Sequence, residues 1–424
     1  MLADWAEMEL GELIELKRGY DLPKNNRNDG DIPVISSSGE SGLHDVYKVR
    51  APGVVTGRYG TIGDVFFAEK DFWPLNTTLY VKDFKGNDHF FVYYFLKTIS
   101  YSDYSDKAAV PGVNRNHLHK ALIKVPRNVE YQKLLAEILR GFDLKITLNT
   151  ETNQTLEAIA QAIFKSWFVD FEPVKAKMAA LEAGGTAEEA ERAAMCAISG
   201  KDEAALTQLQ TEQPDAYAEL AETAALFPSA MQDSELVEIP EGWDIQRLES
   251  LIELAYGKAL KSIDRIEGTV PVYGSGGING THCKALVQGP GIVIGRKGTV
   301  GSIYWEQSDF FPIDTTFYVK TKENVTLEFA FYLIQTLGLN DMNTDAAVPG
   351  LNRNNVYRLE VPGFPNELIK SFTKVVSSIS KAIQNLKVES NTLAEARDNL
   401  LPKLLSGELT LPPAETVVAD ADSV

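Results

Sequence analysis

The decapeptide AVPGVNRNHL at residues 109–118 returns as AVPGLNRNNV at residues 347–356, 238 residues further along the chain, with seven of ten positions identical. The same offset aligns further segments without a gap: Trp5 with Trp243, TGRYGTIG at 56–63 with IGRKGTVG at 294–301, and WPLNTTLYV at 73–81 with FPIDTTFYV at 311–319. Each repeated unit is about 120 residues long, the size of a domain rather than of a solenoid repeat. The chain must therefore fold around two copies of one domain.

Short runs of β-branched and aromatic residues alternate with Gly and Pro turns inside each unit. Residues 53–56 and 79–81 predict strands by this pattern. FFVYYFLKTI at 90–99 predicts a buried helix by its length, although its aromatic residues would also suit a strand. The sequence predicts an α/β (α+β) fold with two similar domains, each holding a curved, mainly antiparallel sheet plus helices.

A helical pattern with a seven-residue period follows each unit. The recurring positions are Leu139, Ile146, Asn153, Ala160 and Trp167 with Phe142, Asn149, Leu156 and Ile163 between them, and Phe372, Ile379, Leu386, Leu393 and Leu400 with Val376, Ile383 and Leu404 between them. Such heptads predict two long helices that pair with each other as a coiled coil. A polar break falls near the middle of each helix, at Asn149 and Asn153 in one and at Glu389 and Ser390 in the other, and such residues often fix helix register and pairing direction. The alternative is that each helix packs only on its own domain.

Residues 172–227 have no counterpart in the second unit. They contain sixteen Ala and eleven Asp and Glu residues against four Lys and Arg residues. This composition predicts an acidic helical insertion that is partly mobile and has a solvated surface; docking of a partner is the alternative. The final segment, PPAETVVADADSV at 412–424, has the composition of a disordered tail.

The net charge of −18 is distributed unevenly. Residues 129–235 hold 8 basic and 19 acidic residues, whereas residues 1–128 hold 16 and 17. Because the repeated units are close to neutral, a basic surface can form locally in them. The alternative is an acidic protein that binds no polyanion.

Composition also excludes several classes of protein. No apolar run reaches the roughly 18 residues of a membrane span, and MLADWAEMELGEL at the start lacks the apolar region of a secretory signal. The only cysteines, Cys196 and Cys283, cannot form a disulfide framework or a cysteine-based zinc site. We therefore expect a cytoplasmic location.

The sequence lacks the common catalytic and cofactor motifs. It contains no GxxxxGK[ST] loop and no HExxH, and GSGGING at 274–280 lacks the third glycine of a dinucleotide loop. HLH at 117–119 becomes Asn-Val-Tyr at 355–357, so a repeated metal site is not expected. We find no Asn/Asp-Pro-Pro-aromatic motif of an amino-methylating enzyme. The chain is predicted not to be an enzyme and to bind no cofactor or metal.

The repeated Gly-Arg loops instead suit binding. Arg58 and Arg296 lie between glycines, which allow close backbone approach, and a guanidinium group can reach a phosphate or a guanine edge. A tight turn with a solvent-facing arginine is the alternative. In the decapeptide, Asn114 and Asn352 are suited to cap a short helix after the Pro-Gly turn.

Three further segments complete a resemblance to the specificity subunits of type I restriction–modification enzymes that covers nearly the whole chain. AIFKSWFVDFEPV at 162–174 resembles the family's central conserved region, and LLPKLLSGEL at 400–409 resembles the end of its distal conserved helix. ALFPSAMQDSELVEIPEGW at 225–243 resembles the lead-in to a second recognition domain. Each repeated unit resembles a target recognition domain through its GRxGTxG, NTT or DTT, and AVPGxNRN motifs.

The resemblance implies a scaffold that carries no catalysis of its own. The two long helices would form an antiparallel coiled coil that joins two target recognition domains at its opposite ends. Each domain would read one half of a bipartite double-stranded DNA target, and the helices would set the unread spacer. Two methyltransferase subunits would dock on the conserved helices and methylate adenine with S-adenosylmethionine. Restriction subunits would cut DNA with ATP and Mg²⁺. These cofactors would be bound by the partner subunits.

The resemblance also assigns the segments of this chain. Residues 1–128 would form target recognition domain 1, 129–171 the central long helix, 172–235 the insertion and linker, 236–364 target recognition domain 2, 365–411 the distal long helix and 412–424 a disordered tail. The residues expected to bind DNA are Ser36, Ser37, Gly57, Arg58, Tyr59, Thr61, Asn76, Thr77, Lys107 and Arg115 in the first domain, and Gly274, Ser275, Gly295, Arg296, Lys297, Thr299, Asp314, Thr315 and Arg353 in the second. The residues expected to dock methyltransferase subunits are Phe164, Trp167, Phe168, Phe171, Leu401, Leu404 and Leu405.

An alternative function is a non-catalytic tandem-domain protein that binds another ligand, such as a carbohydrate or a protein partner. A lectin-like protein would be expected to repeat exposed aromatic and acidic residues rather than Gly-Arg loops.

Overall fold

The structure is a computed structural model that describes residues 4–106, 112–234, 238–342 and 350–411. It forms two compact units: unit 1 ends at Glu151 and resumes at Leu386, and unit 2 spans Thr152–Asn385. Each unit contains one repeated domain and one half of each long helix. The predicted tail at 412–424 and Lys107 lie outside the described residues.

Unit 1 places its repeated domain before the first long helix. Its strands are β1 Trp5–Glu9, β2 Glu15–Arg18, β3 Ile32–Ser36, β4 Gly39–His44, β5 Gly53–Gly57, β6 Val65–Ala68, β7 Trp73–Pro74, β8 Thr78–Asp83, β9 Ser105–Asp106, β10 Gly112–Val113 and β11 Leu122–Pro126. Its helices are α1 Leu10–Leu13, α2 His89–Lys97, α3 Arg115–His119 and the long α4 Val129–Phe168, which continues into unit 2.

Unit 2 contains the insertion and the second repeated domain. Its strands are β12 Met231–Gln232, β13 Ile239–Pro240, β14 Ile245–Arg247, β15 Ile252–Tyr256, β16 Val270–Gly274, β17 Gly277–His282, β18 Gly291–Gly295, β19 Ile303–Glu306, β20 Phe311–Pro312, β21 Thr316–Thr321 and β22 Glu360–Pro362. Its helices are α5 Glu172–Glu182, α6 Ala187–Ser199, α7 Glu203–Glu212, α8 Pro214–Ala225, α9 Leu327–Gln335, α10 Arg353–Tyr357 and the long α11 Asn366–Ser406, which continues into unit 1.

The two repeated domains have the same sheet topology. A four-stranded antiparallel sheet has the order β2-β8-β5-β6 in unit 1 and β15-β21-β18-β19 in unit 2. A three-stranded sheet, β4-β3-β7 or β17-β16-β20, adds a parallel pairing to each domain. The register is also shared, since Val55 pairs with Tyr80 and Val293 with Tyr318. The predicted α/β class and mainly antiparallel pairing are confirmed.

Local sequence explains the main elements of each domain. Every residue of β5 is buried, as expected for a β-branched run between two glycines. The aromatic segment predicted as a helix is α2, which begins after Asp88, whose carboxylate accepts a hydrogen bond from the Phe91 amide. The segment is therefore a helix and not a strand. The helix α2 buries one face against β5 and β6 of the sheet.

Within unit 1, the two long helices run antiparallel. The Asn149 amide Nδ2 donates to Glu389 Oε2 at 2.8 Å and to Ser390 Oγ at 3.2 Å, so the predicted polar contact is confirmed for Asn149. Further toward the start of α4, Asp143 pairs with Arg397. Heptad residues of both helices are buried or half-buried, whereas most positions on the outer faces are exposed.

The helices also contribute to the domain cores, so the alternative that they pack on the domains is partly right as well. In unit 1, Leu135 and Leu139 of α4 lie in one apolar cluster with Leu404 and Leu405 of α11 and with the domain. In unit 2 the ends of the same helices form an aromatic cluster with the second domain. A helix interface that continues into a domain core buries apolar area on two sides.

The insertion forms four packed helices, α5 to α8. It has a small apolar cluster of its own, formed by Ala194, Met195, Leu206 and Ala224. The Lys177 ammonium is 1% exposed and donates to Glu191 Oε1 and to the Phe227 carbonyl, both at 2.7 Å. The sequence predicted a helical insertion, and the structure shows packed helices, because alanine, leucine and methionine recur at helical spacing and find partners. The partial mobility of this segment stays a prediction.

Among the helices in the described part of the chain, none is long and apolar enough to cross a membrane.

Candidate functional site

The three repeated motifs, which are far apart in sequence, meet at one place in unit 1. The backbone amides of Arg58 and Tyr59 donate to the Thr77 carbonyl at 2.9 and 3.1 Å. The Val113 amide, just after the Pro-Gly turn, donates to the Arg58 carbonyl at 3.0 Å. The Gly-Arg loop is therefore held between the NTT turn and the segment that follows the Pro-Gly turn.

The same contacts recur in unit 2. Arg296 and Lys297 donate their backbone amides to the Thr315 carbonyl at 2.9 and 3.1 Å, and the Leu351 amide donates to the Arg296 carbonyl at 2.8 Å. The decapeptide is repeated because its second half holds the Gly-Arg loop in place in each unit. Its Ala-Val-Pro residues lie outside the described residues.

Glycine is required where the loop turns back on itself. A Cβ atom at Gly57 would lie 1.9 Å from the Thr61 carbonyl oxygen, and one at Gly295 would lie 2.1 Å from that of Thr299. No side chain fits at these distances. The backbone hydrogen bonds, together with Gly57 and Gly295, therefore give the two Gly-Arg loops the same backbone conformation.

The serine-rich hairpin tips lie beside the loops. A Cβ atom at Gly60 would lie 3.3 Å from Ser37 Oγ, and one at Gly298 would lie 3.3 Å from Ser275 Oγ. Ser36 Oγ donates to the Gly39 carbonyl at 2.9 Å and so stabilises its own hairpin. Ser37 and Ser275 are thus adjacent to the loops, whereas Gly274 lies beside Thr315. That these residues bind DNA stays a prediction.

Short helices bring a second arginine to each loop. Asn114 Oδ1 accepts from the amide of Asn116 at 3.0 Å, and Asn352 Oδ1 accepts from that of Asn354 at 2.9 Å. The predicted helix caps are confirmed. They place Arg115 and Arg353 in the first turn of α3 and α10.

The cations of this region have no carboxylate partners. Among the described residues, the side chains of Arg58, Arg115, Arg296, Lys297 and Arg353 form no ion pair, although acidic residues outnumber basic ones by 59 to 41 in the whole chain. The Arg58 guanidinium instead lies 4.4 Å from the centre of the Tyr59 ring. The loops are thus positive positions on an acidic chain and suit an anionic ligand.

The remaining predicted residues have varied roles. Asn76 Nδ2 donates to the Asp21 carboxylate, and the Asp314 carbonyl accepts from Arg296 Nη1 at 3.1 Å. Thr77 Oγ1 is buried without a hydrogen-bond partner among the described residues. The residues Thr61 and Thr299 are exposed at the loop tips, and Thr315 is half-buried beside Gly274.

The second histidine of the HLH motif, His119, has a structural role. His119 Nε2 accepts a hydrogen bond from the Leu16 amide at 3.0 Å, and the Tyr357 hydroxyl accepts from the equivalent Leu254 amide at 2.8 Å. Burial, aided by nearby Arg115, lowers the pKa of His119 and keeps the accepting nitrogen unprotonated. In the described ranges, no group of three or more His, Cys, Asp and Glu side chains could hold a metal ion.

The residues expected to dock partner subunits are mostly in the cores. Six of them are at most 5% exposed: Phe164, Trp167, Phe168, Phe171, Leu404 and Leu405. The seventh, Leu401, is half-buried against the core of unit 1. Phe164 and Phe168 pack against Phe329 and Phe372 at distances of 5.1 to 5.5 Å between ring centres within unit 2. These side chains support the cores of the domains, and their contact with methyltransferase subunits stays a prediction.

One residue was missed in the sequence. Tyr256, at the end of β15, lies 4.9 Å from the guanidinium carbon of Arg296 and 5.0 Å from that of Arg353. The 238-residue offset pairs it with Arg18, so the signal was a position where the two copies differ beside residues that they share.

The fold and the site define a protein with two copies of one α/β domain, each with a positive Gly-Arg loop, and two long helices. The family model described as "Type I restriction modification DNA specificity domain" matches residues 3–158 and 240–362. The chain is 32% identical over 335 residues to the type I restriction enzyme HindI specificity subunit of Haemophilus influenzae, covering 72% of each chain. It is 37% identical over 89 residues, 20% of each chain, to the MjaIX specificity subunit of Methanocaldococcus jannaschii. The chain belongs to the family of type I restriction–modification specificity subunits, which are non-catalytic.

A solved structure shares the fold. The crystal structure of a type I restriction–modification S subunit from M. genitalium matches with a TM-score of 0.52 at 19% identity, covering 96% of this chain and 97% of that one.

Proposed function

We propose that this chain reads a bipartite double-stranded DNA target, with one recognition domain for each half. The observation that carries the proposal is the pair of Gly-Arg loops. They have the same backbone contacts in both units, and Arg58 and Arg296 have no carboxylate partner among the described residues. A polyanion is the ligand that would complete such a surface on a chain of net charge −18.

The loops offer two kinds of contact to DNA. Arginine and lysine can bind phosphate oxygens and fix the position of the domain on the duplex, while hydroxyl and amide groups can bond to base edges. The exposed Thr61 and the hairpin serines supply such groups next to Arg58. Unit 2 offers Thr299 and Ser275 in the same places.

We propose that the partners are two methyltransferase subunits and restriction subunits, which bind S-adenosylmethionine, ATP and Mg²⁺, and that the complex works in the cytoplasm. The names of the relatives support this assignment. Since the predicted docking side chains are buried, the methyltransferases would dock on the outer faces of the long helices. Leu144 of α4 and Val388 of α11 are 55% and 54% exposed there. Both cysteines are free, as a reducing location allows.

We further propose that the long helices set the length of the unread spacer. The helix α4 has 40 residues, which corresponds to roughly 60 Å at about 1.5 Å per residue. Four residues inserted after Thr150 would add roughly 6 Å, close to two base pairs. Methylation mapping in cells carrying the insertion should show both half-sites unchanged and a longer spacer. An unchanged spacer at full activity would show that the helices do not determine the separation.

The DNA-reading proposal is tested with Arg58→Ala and Arg296→Ala in the full chain reconstituted with its methyltransferase subunits. Each change should weaken binding to a duplex that carries the target sequence identified by methylation mapping. A lost guanine contact would cost about 1–3 kcal/mol at one base position, and a lost phosphate contact would lower the salt slope by about 1. Matched controls are Lys133→Ala and Arg247→Ala, because these cations already pair with Glu130 and Glu249. Wild-type binding by both loop variants would show that the arginines only form turns.

A further inference from the structure

An exposed aromatic side chain carries two arginines in unit 2. Tyr256 is 47% exposed, and its ring lies 4.9 Å from the guanidinium carbon of Arg296 and 5.0 Å from that of Arg353. These distances are within the range of cation–π contacts. The two arginines come from the Gly-Arg loop and from the helix of the decapeptide, so Tyr256 links the two cationic motifs of the unit.

The positive charges of the two arginines lie close together and are not neutralised by a carboxylate among the described residues. By the triangle formed with the ring centre, their guanidinium carbons are at most about 10 Å apart, close enough for mutual repulsion. Neither forms an ion pair among the described residues. Arg296 Nη1 donates to the Asp314 carbonyl at 3.1 Å. Arg353 Nε is buried and has no hydrogen-bond partner in the described part of the chain.

Among the described residues at the matching positions, unit 1 also has three cations, Arg18, Arg58 and Arg115, in a different arrangement. Arg18 stands at the position of Tyr256, and Tyr59 stands at the position of Lys297. Arg58 therefore lies on the Tyr59 ring, 4.4 Å from its centre. Arg115 bonds instead to Asn116 Oδ1, at 3.3 and 3.4 Å. No ring joins Arg58 to Arg115 among the contacts of the described residues.

We propose that Tyr256 is a positioning residue that holds Arg296 and Arg353 together as a binding site for a backbone phosphate of DNA. In unit 1 the corresponding phosphates would be bound by Arg18, Arg58 and Arg115 as separate cations. This inference rests on the proposed DNA-reading function and adds to it the ligand group and the positioning residue.

The physical basis is preorganisation. A guanidinium that lies on an aromatic face keeps its edge N–H groups free for a phosphate while it loses side-chain freedom before binding. The cost of ordering the arginine is then already met in the free protein. Two such arginines on one ring should act as a unit, whereas two arginines that share no contact should act independently.

The first experiment replaces the ring. The full chain is first reconstituted with its methyltransferase subunits. It is then titrated, at several salt concentrations, with a duplex that carries the target sequence identified by methylation mapping. Y256F keeps the ring and should bind as wild type. Y256L and Y256R, the latter matching Arg18 of unit 1, remove the ring. Y256L should lose roughly 2- to 30-fold in affinity and should reduce the salt slope toward that of R353A.

The second experiment is a pair of double-mutant cycles. R296A and R353A should be non-additive in their effect on DNA affinity, and the coupling should disappear in the Y256L background. R58A and R115A should be additive within about twofold. Additive effects of R296A and R353A, with or without Tyr256, would overturn the inference.

The outcomes separate this inference from the function on which it rests. If neither R58A nor R296A changes DNA binding, the DNA-reading proposal fails. If both weaken binding while Y256L binds as wild type with an unchanged salt slope, only the role of Tyr256 fails. Tyr256 also packs on Phe317 at a ring distance of 5.0 Å, so thermal unfolding is measured for every variant. If Y256L is destabilised, the comparison of Y256F with Y256R gives the result, because Y256R adds the charge that unit 1 has there yet should still uncouple Arg296 from Arg353.

Discussion

The recognition domains of units 1 and 2 share backbone contacts and differ in side chains. Both hold the Gly-Arg loop between the same two segments, with donor–acceptor distances that agree within 0.2 Å. In the alignment of the two copies, however, Arg18 corresponds to Tyr256, and Tyr59 corresponds to Lys297. A fixed backbone with variable side chains lets one fold present two different surfaces. The two halves of a DNA target can therefore differ without any change in architecture.

The two units also differ in how the domain is attached to the long helices. In unit 1 the Tyr94 hydroxyl donates to Asp143 Oδ2 at 2.6 Å, and Asp143 pairs with Arg397 of α11. In unit 2 the equivalent Tyr332 donates to Glu157 Oε2 at 3.4 Å. Unit 1 thus relies more on a polar network, whereas unit 2 relies on an aromatic cluster and on the insertion.

The largest difference in stability between the two units is expected when the aromatic cluster of unit 2 is disrupted. Trp167 is 1% exposed and lies 5.7 Å from Phe227 and 6.1 Å from Phe372, between ring centres. Trp167→Ala should destabilise unit 2 by about 3–5 kcal/mol, while Ile159→Ala, which is 45% exposed on the same helix, should change stability by less than about 0.5 kcal/mol. Hydrogen exchange should speed up in β18 and stay unchanged in β5. Equal acceleration in both strands would show that the two cores do not differ in their dependence on Trp167.

The insertion should show the next largest effect. Lys177→Met removes the buried ammonium that donates to the Phe227 carbonyl. The loss of a charged hydrogen bond should cost about 1.5–3 kcal/mol, since Glu191 is 41% exposed on its side chain and can be rehydrated. Lys175→Met, at an exposed position of the same helix, is the matched control. Equal unfolding temperatures for the two variants would argue against a clamping role for Lys177.

A smaller effect is expected from the polar attachment of unit 1. Burial and the Asp143 carboxylate raise the pKa of Tyr94, so its hydroxyl stays protonated and donating. Asp143→Ala removes the acceptor of Tyr94 and the partner of Arg397, and should cost about 1–2 kcal/mol because both charged side chains are partly solvated. Glu157→Ala in unit 2 should cost less than about 0.5 kcal/mol, given its long hydrogen bond. Chemical denaturation of the two variants would reveal the difference, and a larger loss for Glu157→Ala would reverse the comparison.

The smallest effect should be a pH dependence confined to unit 1. The pKa of His119 is lowered in the folded state, so below its unfolded value of about 6.5 the unfolded chain binds a proton that the folded chain does not. The stability linked to His119 is fully present above this pH and is lost as the pH falls. The loss should be less than about 1 kcal/mol per pH unit, because the ring is partly solvated and Glu15 opposes the shift. Hydrogen exchange at β2 between pH 7 and 5.5 measures it; His119→Tyr should abolish the His119-linked part and leave β15 unaffected.

Some conclusions followed from the sequence alone because they depend on periodicity. A 238-residue offset without gaps determines two copies of one domain, and a seven-residue period determines two long helices with matching apolar stripes. Asn149 was assigned on this basis to the polar break of one helix, and Glu389 and Ser390 to that of the other; the structure then shows that these three residues are hydrogen-bonded to one another.

Other features were decided only by tertiary structure. Phe164, Trp167 and Phe168 suit a docking surface and a core equally well as a sequence pattern, since apolar composition does not state what covers it. Their burial depends on Phe329 and Phe372, far along the chain. The role of Tyr256 was likewise invisible, because Arg296 and Arg353 approach it only through the folding of three separate segments. Periodicity is a local property that a sequence displays directly, whereas a contact between distant side chains exists only once the backbone has closed around it.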